Sequence, residues 1–284
     1  MKKLINNISD CLIRASSVMR KDQINRYEEL IKRETSKEAK EILNKIVENS
    51  QIAKKKRFPL CDDTGIPHVI LEVGDKAIIN KELIEIIKLG ICKGLRELPG
   101  RPMAVKGSNI IDLLTQRKGM YQDPGALLPA PIVISSYKGK KIKLTIIMLG
   151  GGPEIRSKTF RIFHRHMIDH IFDEIIKWMF DVIPKLGCTP CVPAIGIGRT
   201  HFEATSLMLF AMKEGSFEKQ SRWEQMITNT INKTGIGPLG VGGATTALAT
   251  FLKVGPQRAS GVRIVCMRLG CCFDPRKDTI FIDY

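Results

Sequence analysis

The fold is decided most clearly by a run that reads Lys141-Ile-Lys-Leu-Thr-Ile-Ile-Met-Leu149-Gly-Gly-Gly152. Its aliphatic residues predict a buried strand, and the three glycines predict a turn directly after the strand. Consecutive glycines let a backbone approach a ligand closely and present N–H groups to an anion. A plain tight turn is the simpler explanation of a single triple glycine. Other motifs must therefore show whether the turns that follow the strands contain functional residues.

Helices and further strands surround this central run. Apolar residues at helical spacing predict helices over about residues 21–53, 81–97, 162–184, 203–214 and 221–233. Apolar β-branched runs predict strands at about residues 68–73, 132–135 and 262–267. No internal repeat or low-complexity linker marks a boundary. We therefore expect an α+β fold, with helices and mixed sheet in one large domain spanning residues 1–284.

The composition is that of an ordinary globular protein, with 43% hydrophobic and 26% charged residues. No apolar run approaches the roughly 20 residues that a membrane span requires. The opening Met1-Lys-Lys-Leu-Ile-Asn has no continuous apolar stretch, which argues against a signal peptide. We expect a cytoplasmic protein without a membrane association.

The formal net charge of +16 raises the question of a nucleic-acid partner. The basic residues are scattered, however, and the densest run, Lys54–Arg57, has no interleaved aromatic residues. Aromatic residues make up only 6% of the chain. A solvated basic face, an acidic partner subunit or the attraction of a dianionic substrate fits as well, so nucleic acid is disfavoured.

Three of the eight cysteines stand in separate loops marked by glycine or proline. Cys61 opens Cys-Asp-Asp-Thr-Gly, Cys188 opens Cys-Thr-Pro-Cys, and Cys272 closes Leu-Gly-Cys-Cys. Structural disulfides are rare in cytosolic proteins. Three thiolates from distant parts of a chain can instead hold three irons of a cubane cluster and leave the fourth iron open.

The remaining cysteines allow other interpretations. Cys11 and Cys92 lie among helix-like apolar residues and are expected to pack in a core. Cys188 and Cys191 alone could form half of a zinc site or a redox pair, although Cys271 and Cys272 have the wrong spacing to complete a zinc site.

Several further motifs are weak by themselves. Asp62 and Asp63 are suitable for proton transfer beside Cys61, and equally for a simple turn. The glycine-rich stretch 235–243 lacks the Gly-Lys-Ser/Thr ending of a nucleotide loop, and a helix-like stretch over 245–252 follows it. His166 and His170, spaced as i and i+4, are expected to face solvent or substrate rather than a metal.

Taken in order, these motifs resemble the α subunit of the iron–sulfur hydro-lyases, namely class I fumarate hydratase and L(+)-tartrate dehydratase. The matching motifs are Cys61-Asp-Asp-Thr-Gly65, Met148-Leu-Gly-Gly-Gly152, Cys188-Thr-Pro190 leading to Gly196-Ile-Gly198, Gly235–Pro238 followed by Thr245–Leu248, and Cys272 with Phe273 and Arg276. The resemblance extends from about residue 20 to 282.

The resemblance implies a cluster-binding domain of the class I fumarase type and a [4Fe–4S] cluster as cofactor. Its ligands would be Cys61, Cys188 and Cys272, with the adjacent Cys271 as an alternative to Cys272. The open iron would polarise the hydroxyl that leaves a small hydroxy-dicarboxylic acid as water. Malate–fumarate and tartrate remain alternative substrates.

The resemblance also implies roles for side chains near the cluster. Asp63 would contact the substrate and act as an acid, and Arg101 would bind a substrate carboxylate with its guanidinium fork. Asp62 would lie in the substrate site, and the loop around Gly151 would bind a carboxylate through N–H groups.

The family's other catalytic residues lie on a separate β domain, so the resemblance implies a β-subunit partner in a heterodimer or heterotetramer. This chain departs from the family at Asp62, Thr189 and Arg199, where glutamine, proline and glycine are usual, and in the segment 103–125. The alternative reading is a non-catalytic metal- or cluster-binding interaction subunit with a relict site.

Overall fold

The computed structural model describes residues 1–283. Its helices are α1 (Lys2–Ser17), α2 (Lys21–Arg33), α3 (Lys37–Lys56), α4 (Lys81–Glu97), α5 (Ile110–Thr115), α6 (Gly151–Glu154), α7 (Ile168–Val182), α8 (His201–Glu214) and α9 (Arg222–Asn232). Its strands are β1 (Ile66–Val73), β2 (Val133–Ser136), β3 (Ile142–Leu149), β4 (Ser157–Phe163), β5 (Val192–Gly198), β6 (Phe251–Val254), β7 (Val262–Gly270) and β8 (Arg276–Ile282). The predicted α+β class is confirmed.

The chain forms two compact units. Unit 1 comprises Met1–Val18, Ser50–Gly150 and Arg276–Tyr284, and unit 2 comprises Met19–Asn49 and Gly151–Pro275. Each unit has its own sheet and its own core. The single domain expected for residues 1–284 stays a prediction.

The sheet of unit 1 has the strand order β2-β1-β3-β8. β1 is parallel to β2 and antiparallel to β3, and β3 is antiparallel to β8. Apolar residues of α1, α4, β1 and β3 form one core, in which Leu12, Leu71, Ile87 and Leu144 are fully buried. Burial of this apolar surface is the main free energy that holds the unit together.

The sheet of unit 2 has the strand order β4-β7-β5-β6. β5 is parallel to β6 and antiparallel to β7, and β7 is antiparallel to β4. α8 lies directly on β5, because a Cβ on Gly196 would be only 2.0 Å from the carbonyl oxygen of Ala204. Glycine in the Gly-Ile-Gly run is therefore a packing requirement of the helix–strand contact.

The two sheets share one pattern of pairing, although the sequence shows no repeat. β1 and β5 each follow a cysteine-bearing loop and pair in parallel with an edge strand, β2 or β6. They pair on their other side with an antiparallel strand, β3 or β7. The remaining strands are exchanged along the chain: β4 follows β3 but pairs with β7, whereas β8 follows β7 but pairs with β3.

Most of the predicted elements are confirmed, and three differ. The helix predicted over 21–53 is two helices, α2 and α3. The helix predicted over 162–184 begins only at Ile168, because β4 extends to Phe163. His166 therefore precedes the helix, with a φ of 56°, and does not share a helix face with His170.

The helix-like stretch over 245–252 is not a helix, and β6 begins at Phe251. Short helix-forming patterns are overridden here by tertiary contacts. Cys11 lies fully buried in the core of unit 1, as expected. None of the helices formed by residues 1–283 combines the length and apolar character that crossing a bilayer requires.

Candidate functional site

The first part of the candidate site is the loop 61–65 of unit 1, directly before β1. The carboxylate of Asp62 accepts hydrogen bonds from the Asp63 N–H (2.9 Å) and from the Cys61 thiol (3.4 Å). The Thr64 N–H donates to the Asp62 carbonyl at 2.9 Å. Asp62 thus closes the turn, and Cys61 is half-buried.

A buried arginine is hydrogen-bonded to the backbone of this loop. Arg276, the first residue of β8, pairs with Met148 of β3 and is only 2% exposed. Its Nη1 donates to the carbonyl oxygens of Asp63 (2.6 Å) and Thr64 (3.1 Å). Hydrogen bonds from a charged donor are stronger than neutral ones, so this residue fixes the path of the backbone at Asp63.

The first glycine after β3 packs against the same loop. A Cβ on Gly150 would lie 2.5 Å from Oδ2 of Asp63 and 2.9 Å from Nη2 of Arg276. The Asp63 carboxylate and the Arg276 guanidinium thus both border this glycine. The close approach requires glycine at position 150 and places the end of β3 against Asp63.

Arg101 joins this part of the site through its backbone. Its N–H donates to the buried hydroxyl of Thr64 at 2.9 Å, and Arg101 is exposed. A groove of about 360 Å³ is lined by Phe58, Pro59, Cys61, Asp62 and Pro99. Unit 1 therefore places Arg101 next to the loop that carries Cys61, Asp62 and Asp63.

Replacing Arg276 by Met should lower the free energy of unfolding by about 2–4 kcal/mol, because the carbonyl groups of Asp63 and the buried Thr64 lose a charged donor. The matched control is Arg57→Met, since Arg57 pairs with Asp10 at the surface with 56% of its side chain exposed. The control should cost about 0–1 kcal/mol. Urea denaturation measures both variants, and equal losses would contradict the role given to Arg276.

The second part of the candidate site lies in unit 2, where two of the three predicted cysteines meet. The Cys272 N–H donates to the Cys188 carbonyl at 3.0 Å. Val192 pairs with Gly270 in the β5–β7 ladder, so the loop before β5 and the loop after β7 lie at the same end of the sheet. Cys188 is exposed, whereas Cys271 and Cys272 are buried.

Helix α2 fixes the position of Cys272. Nε2 of the buried Gln23 donates to the carbonyl oxygens of Cys272 (3.1 Å) and Asp274 (3.2 Å). The hydroxyl of the buried Tyr27 donates to the same Cys272 carbonyl at 2.7 Å. Burial, and then the nearby Cys272, Cys271 and Cys191, raise the pKa of Tyr27 well above its usual value, so the phenol remains a donor.

Cys191 has a different environment from Cys188. Its N–H donates to the Thr246 carbonyl at 2.8 Å, and its carbonyl accepts from the Leu248 N–H at 3.0 Å. Burial raises the pKa of Cys191 to about 12. A protonated, buried thiol is a poor metal ligand and a poor nucleophile. This state weighs against reading Cys188 and Cys191 as a redox pair or zinc half-site.

This pKa predicts an alkaline loss of stability. Below pH 9.0 the Cys191 thiol is protonated in both the folded and the unfolded chain. Between pH 9.0 and about 12 the unfolded chain releases this proton and the folded chain retains it. The free energy of unfolding should therefore fall by about 1.4 kcal/mol per pH unit from this group alone.

Cys191→Ala should remove the contribution of this thiol, so that the free energy of unfolding falls less steeply as the pH rises. Urea denaturation at a series of pH values measures this slope. Cys92→Ala, at a half-buried cysteine of unit 1, is the matched control. Wild type and Cys191→Ala with the same pH dependence would contradict the buried, protonated thiol.

The glycine-rich stretch 235–243 and the residues directly after it are hydrogen-bonded to buried side chains of the protein. The Thr189 hydroxyl donates to the Gly237 carbonyl at 2.6 Å, which explains a threonine next to Cys188. The buried carboxylate of Glu34 accepts from the Ala244 N–H (3.0 Å) and the Thr245 hydroxyl (3.2 Å). The carboxylate of Glu34 thus accepts the hydrogen bonds that an external anion would need at the end of this stretch.

The predicted site residues fall into two sets. Cys61, Asp62, Asp63 and Arg101 lie in unit 1, and Cys188, Cys272 and Gly151 lie in unit 2. Gly151 is exposed at the start of α6, and a Cβ there would meet no atom within 4 Å.

The positioning residues Gln23 and Tyr27 were missed by sequence reasoning, and Thr64 and Arg276 were noted only as parts of motifs. No group of three His, Cys, Asp or Glu residues within 1–283 is arranged to hold a single metal ion. A cubane cluster makes a different demand, because each thiolate binds its own iron.

Residues 5–280 match the family model described as Fumarate hydratase (Fumerase). A Methanocaldococcus jannaschii protein with the provisional name L(+)-tartrate dehydratase subunit alpha is 30% identical over 278 residues, which cover 93% of each chain. L(+)-tartrate dehydratase subunit alpha of Escherichia coli O157:H7 is 24% identical over 292 residues, covering 99% of this chain and 91% of the relative.

Proposed function

Because the chain belongs to the fumarate hydratase (Fumerase) family, we propose that it is the α subunit of an iron–sulfur hydro-lyase. Its reaction is the reversible elimination of water from a small hydroxy-dicarboxylic acid, of the malate–fumarate or the tartrate type. The relatives named as L(+)-tartrate dehydratase α subunits favour a hydro-lyase of this kind. The cytoplasmic location stays a prediction of the sequence.

One observation carries the proposal furthest. The backbone hydrogen bond from Cys272 to Cys188 joins two cysteines that are more than eighty residues apart in the chain. Both residues belong to motifs of the family. The same hydrogen bond joins the backbone of Cys272 to Cys188, whereas the Cys271 N–H donates to the Asp274 carboxylate at 3.3 Å.

We propose Cys61, Cys188 and Cys272 as the ligands of a [4Fe–4S] cluster. The donor set fits this cofactor in its chemistry, since all three residues are cysteines and cubane clusters are held by thiolates. When bound, the cluster would supply a Lewis-acidic iron that polarises the departing hydroxyl. The single domain expected for residues 1–284 is then the cluster-binding part of the enzyme.

The chain's own residues would bind the substrate and move a proton. Arg101 would bind a substrate carboxylate with its exposed guanidinium, next to the loop that carries Cys61. The Gly151 N–H would bind a carboxylate oxygen, and Asp62 would border the substrate. Asp63, fixed through its carbonyl by Arg276, would deliver a proton to the departing hydroxyl as it leaves as water.

The elimination also needs a base that removes a proton from the carbon next to the one that carries the hydroxyl. We propose that a separate β subunit supplies this base, in a heterodimer or heterotetramer with the present chain. The relatives' names, each a subunit alpha, support an assembly of this kind. The chain alone would then bind the cluster without turning over substrate.

The ligand set is tested by iron and sulfide content and by the visible spectrum of anaerobically prepared protein. Wild type should hold about four irons per chain, as a [4Fe–4S] cluster requires. Cys61→Ser, Cys188→Ser and Cys272→Ser should each lose the cluster. Cys271→Ser and Cys92→Ser, matched substitutions outside the proposed set, should retain it.

Zinc or no metal in wild type, unchanged by the three ligand substitutions, would overturn the proposal. That result would leave a non-catalytic interaction subunit with a relict site. Loss of the cluster in Cys271→Ser but not in Cys272→Ser would move the third ligand to Cys271 and leave the rest of the proposal standing.

A further inference from the structure

The strongest unexplained feature outside the candidate site is a projecting segment of unit 1, residues 104–121, which we call the α5 arm. Its base is closed by hydrogen bonds from the Tyr121 N–H to the Ala104 carbonyl (2.8 Å) and from the Lys106 N–H to the Gly119 carbonyl (2.9 Å). Val105 and Met120 form a β-bridge between these bonds. The helix α5 lies at the tip of this closed loop.

The helix α5 exposes its apolar residues and buries its acidic residue, the opposite of an ordinary surface helix. Ile110, Ile111, Leu113 and Leu114 are 71%, 54%, 50% and 79% exposed, whereas Asp112 is fully buried. A surface helix of a stable monomer normally buries its apolar residues. Four large apolar side chains clustered on six residues of helix form a patch of the kind that marks an interaction surface.

The buried Asp112 holds the helix in this orientation. Its carboxylate accepts a hydrogen bond from Asn109 Nδ2 at 2.7 Å and forms ion pairs with Lys118 (2.7 Å) and Arg117. Hydrogen bonds from Lys118 and Arg117 lower the pKa of Asp112, so the carboxylate stays charged at neutral pH. The apolar residues are therefore directed outward by a defined polar contact and not by loss of order.

Positive charge surrounds the apolar patch. Lys106, Arg117 and Lys118 are exposed on the α5 arm, and Asp112, the only acidic residue within 104–121, is buried. A second copy of this chain, with its net charge of +16, would bring like charges together at the rim. A partner with an apolar recess and a rim of carboxylates would match the patch in both respects.

We propose that the α5 arm is the docking surface for the β subunit of the enzyme, a polypeptide with an apolar recess rimmed by carboxylates. This inference rests on the proposed function, which requires such a subunit. The arm begins three residues after Arg101, and Arg101 is hydrogen-bonded to the loop that carries Cys61. A β subunit seated on the arm would therefore lie close to the Arg101 end of the substrate site.

The test uses the full chain and the β subunit of the proposed enzyme, purified separately and mixed. Titration calorimetry measures the dissociation constant, and sedimentation velocity measures the mass of the complex. Ile111→Glu combined with Leu114→Glu should weaken binding by about 100-fold, because each substitution removes an apolar contact and adds a charge that the acidic rim repels. Leu114→Ser, which adds no charge, should weaken binding by about tenfold.

Two exposed apolar residues of unit 1 outside the arm provide the matched controls. Ile78→Glu and Leu89→Glu make the same chemical change at side chains that are 68% and 52% exposed. These controls should bind the β subunit as wild type does. Raising the salt concentration should weaken the wild-type complex, because the rim contacts are between exposed charges.

The outcomes separate this inference from the proposed function. An arm variant that binds the β subunit as tightly as wild type overturns the docking surface, while iron content and turnover still report on the hydro-lyase. A wild-type chain that forms a dimer without the β subunit, and becomes monomeric with Leu114→Glu, assigns the patch to a second copy. A wild-type chain that binds no β subunit overturns both the docking surface and the heteromer.

Discussion

The antiparallel pairing of β1 with β3 in unit 1, and of β5 with β7 in unit 2, determines which loops meet. Ile66 pairs with Leu149 in unit 1, so the loop that carries Cys61 and Asp63 lies beside Gly150 at the end of β3. Val192 pairs with Gly270 in unit 2, so the Cys188 loop lies beside Cys272. A slip of one residue in either ladder would turn every side chain of the strand to the opposite face.

Polar groups then fix each loop within the frame that the strands provide. In unit 1 the guanidinium of Arg276 supports the carbonyls of Asp63 and Thr64. In unit 2 the side chains of Gln23 and Tyr27 support the Cys272 carbonyl. These donors are buried, and a buried polar group is stable only when its hydrogen bonds are made. The backbone of each loop is thereby held before any ligand binds.

The sequence predicted the parts of this arrangement that depend on local pattern. Strands β1, β3 and β7 and helices α4, α8 and α9 follow apolar periodicity and were found. Strands β4 and β8 were not, because both alternate polar and apolar residues over few positions and their identity depends on distant partners. The helix expected over 245–252 failed because Asn232 and Glu34 hold that backbone in an irregular path.

The candidate site shows the same division. The sequence pointed to Cys61, Cys188 and Cys272 because glycine and proline mark their loops, and to Asp62 and Asp63 because they adjoin Cys61. Their roles in a site stay predictions. Tyr27, Gln23 and Thr64 act through long-range hydrogen bonds that leave no local signature. The reversed polarity of α5 was also invisible, since Asp112 among four aliphatic residues resembles an ordinary amphipathic helix until its burial is seen.

We propose that this chain is the cluster-bearing subunit of a hydro-lyase whose second subunit supplies the base. The most direct measurement is water elimination from L(+)-tartrate and from malate by the anaerobically reconstituted chain, with and without the β subunit. We expect turnover of at least one of these acids only when both subunits are present. Turnover by the chain alone, or none by a complex that carries its cluster, would contradict it.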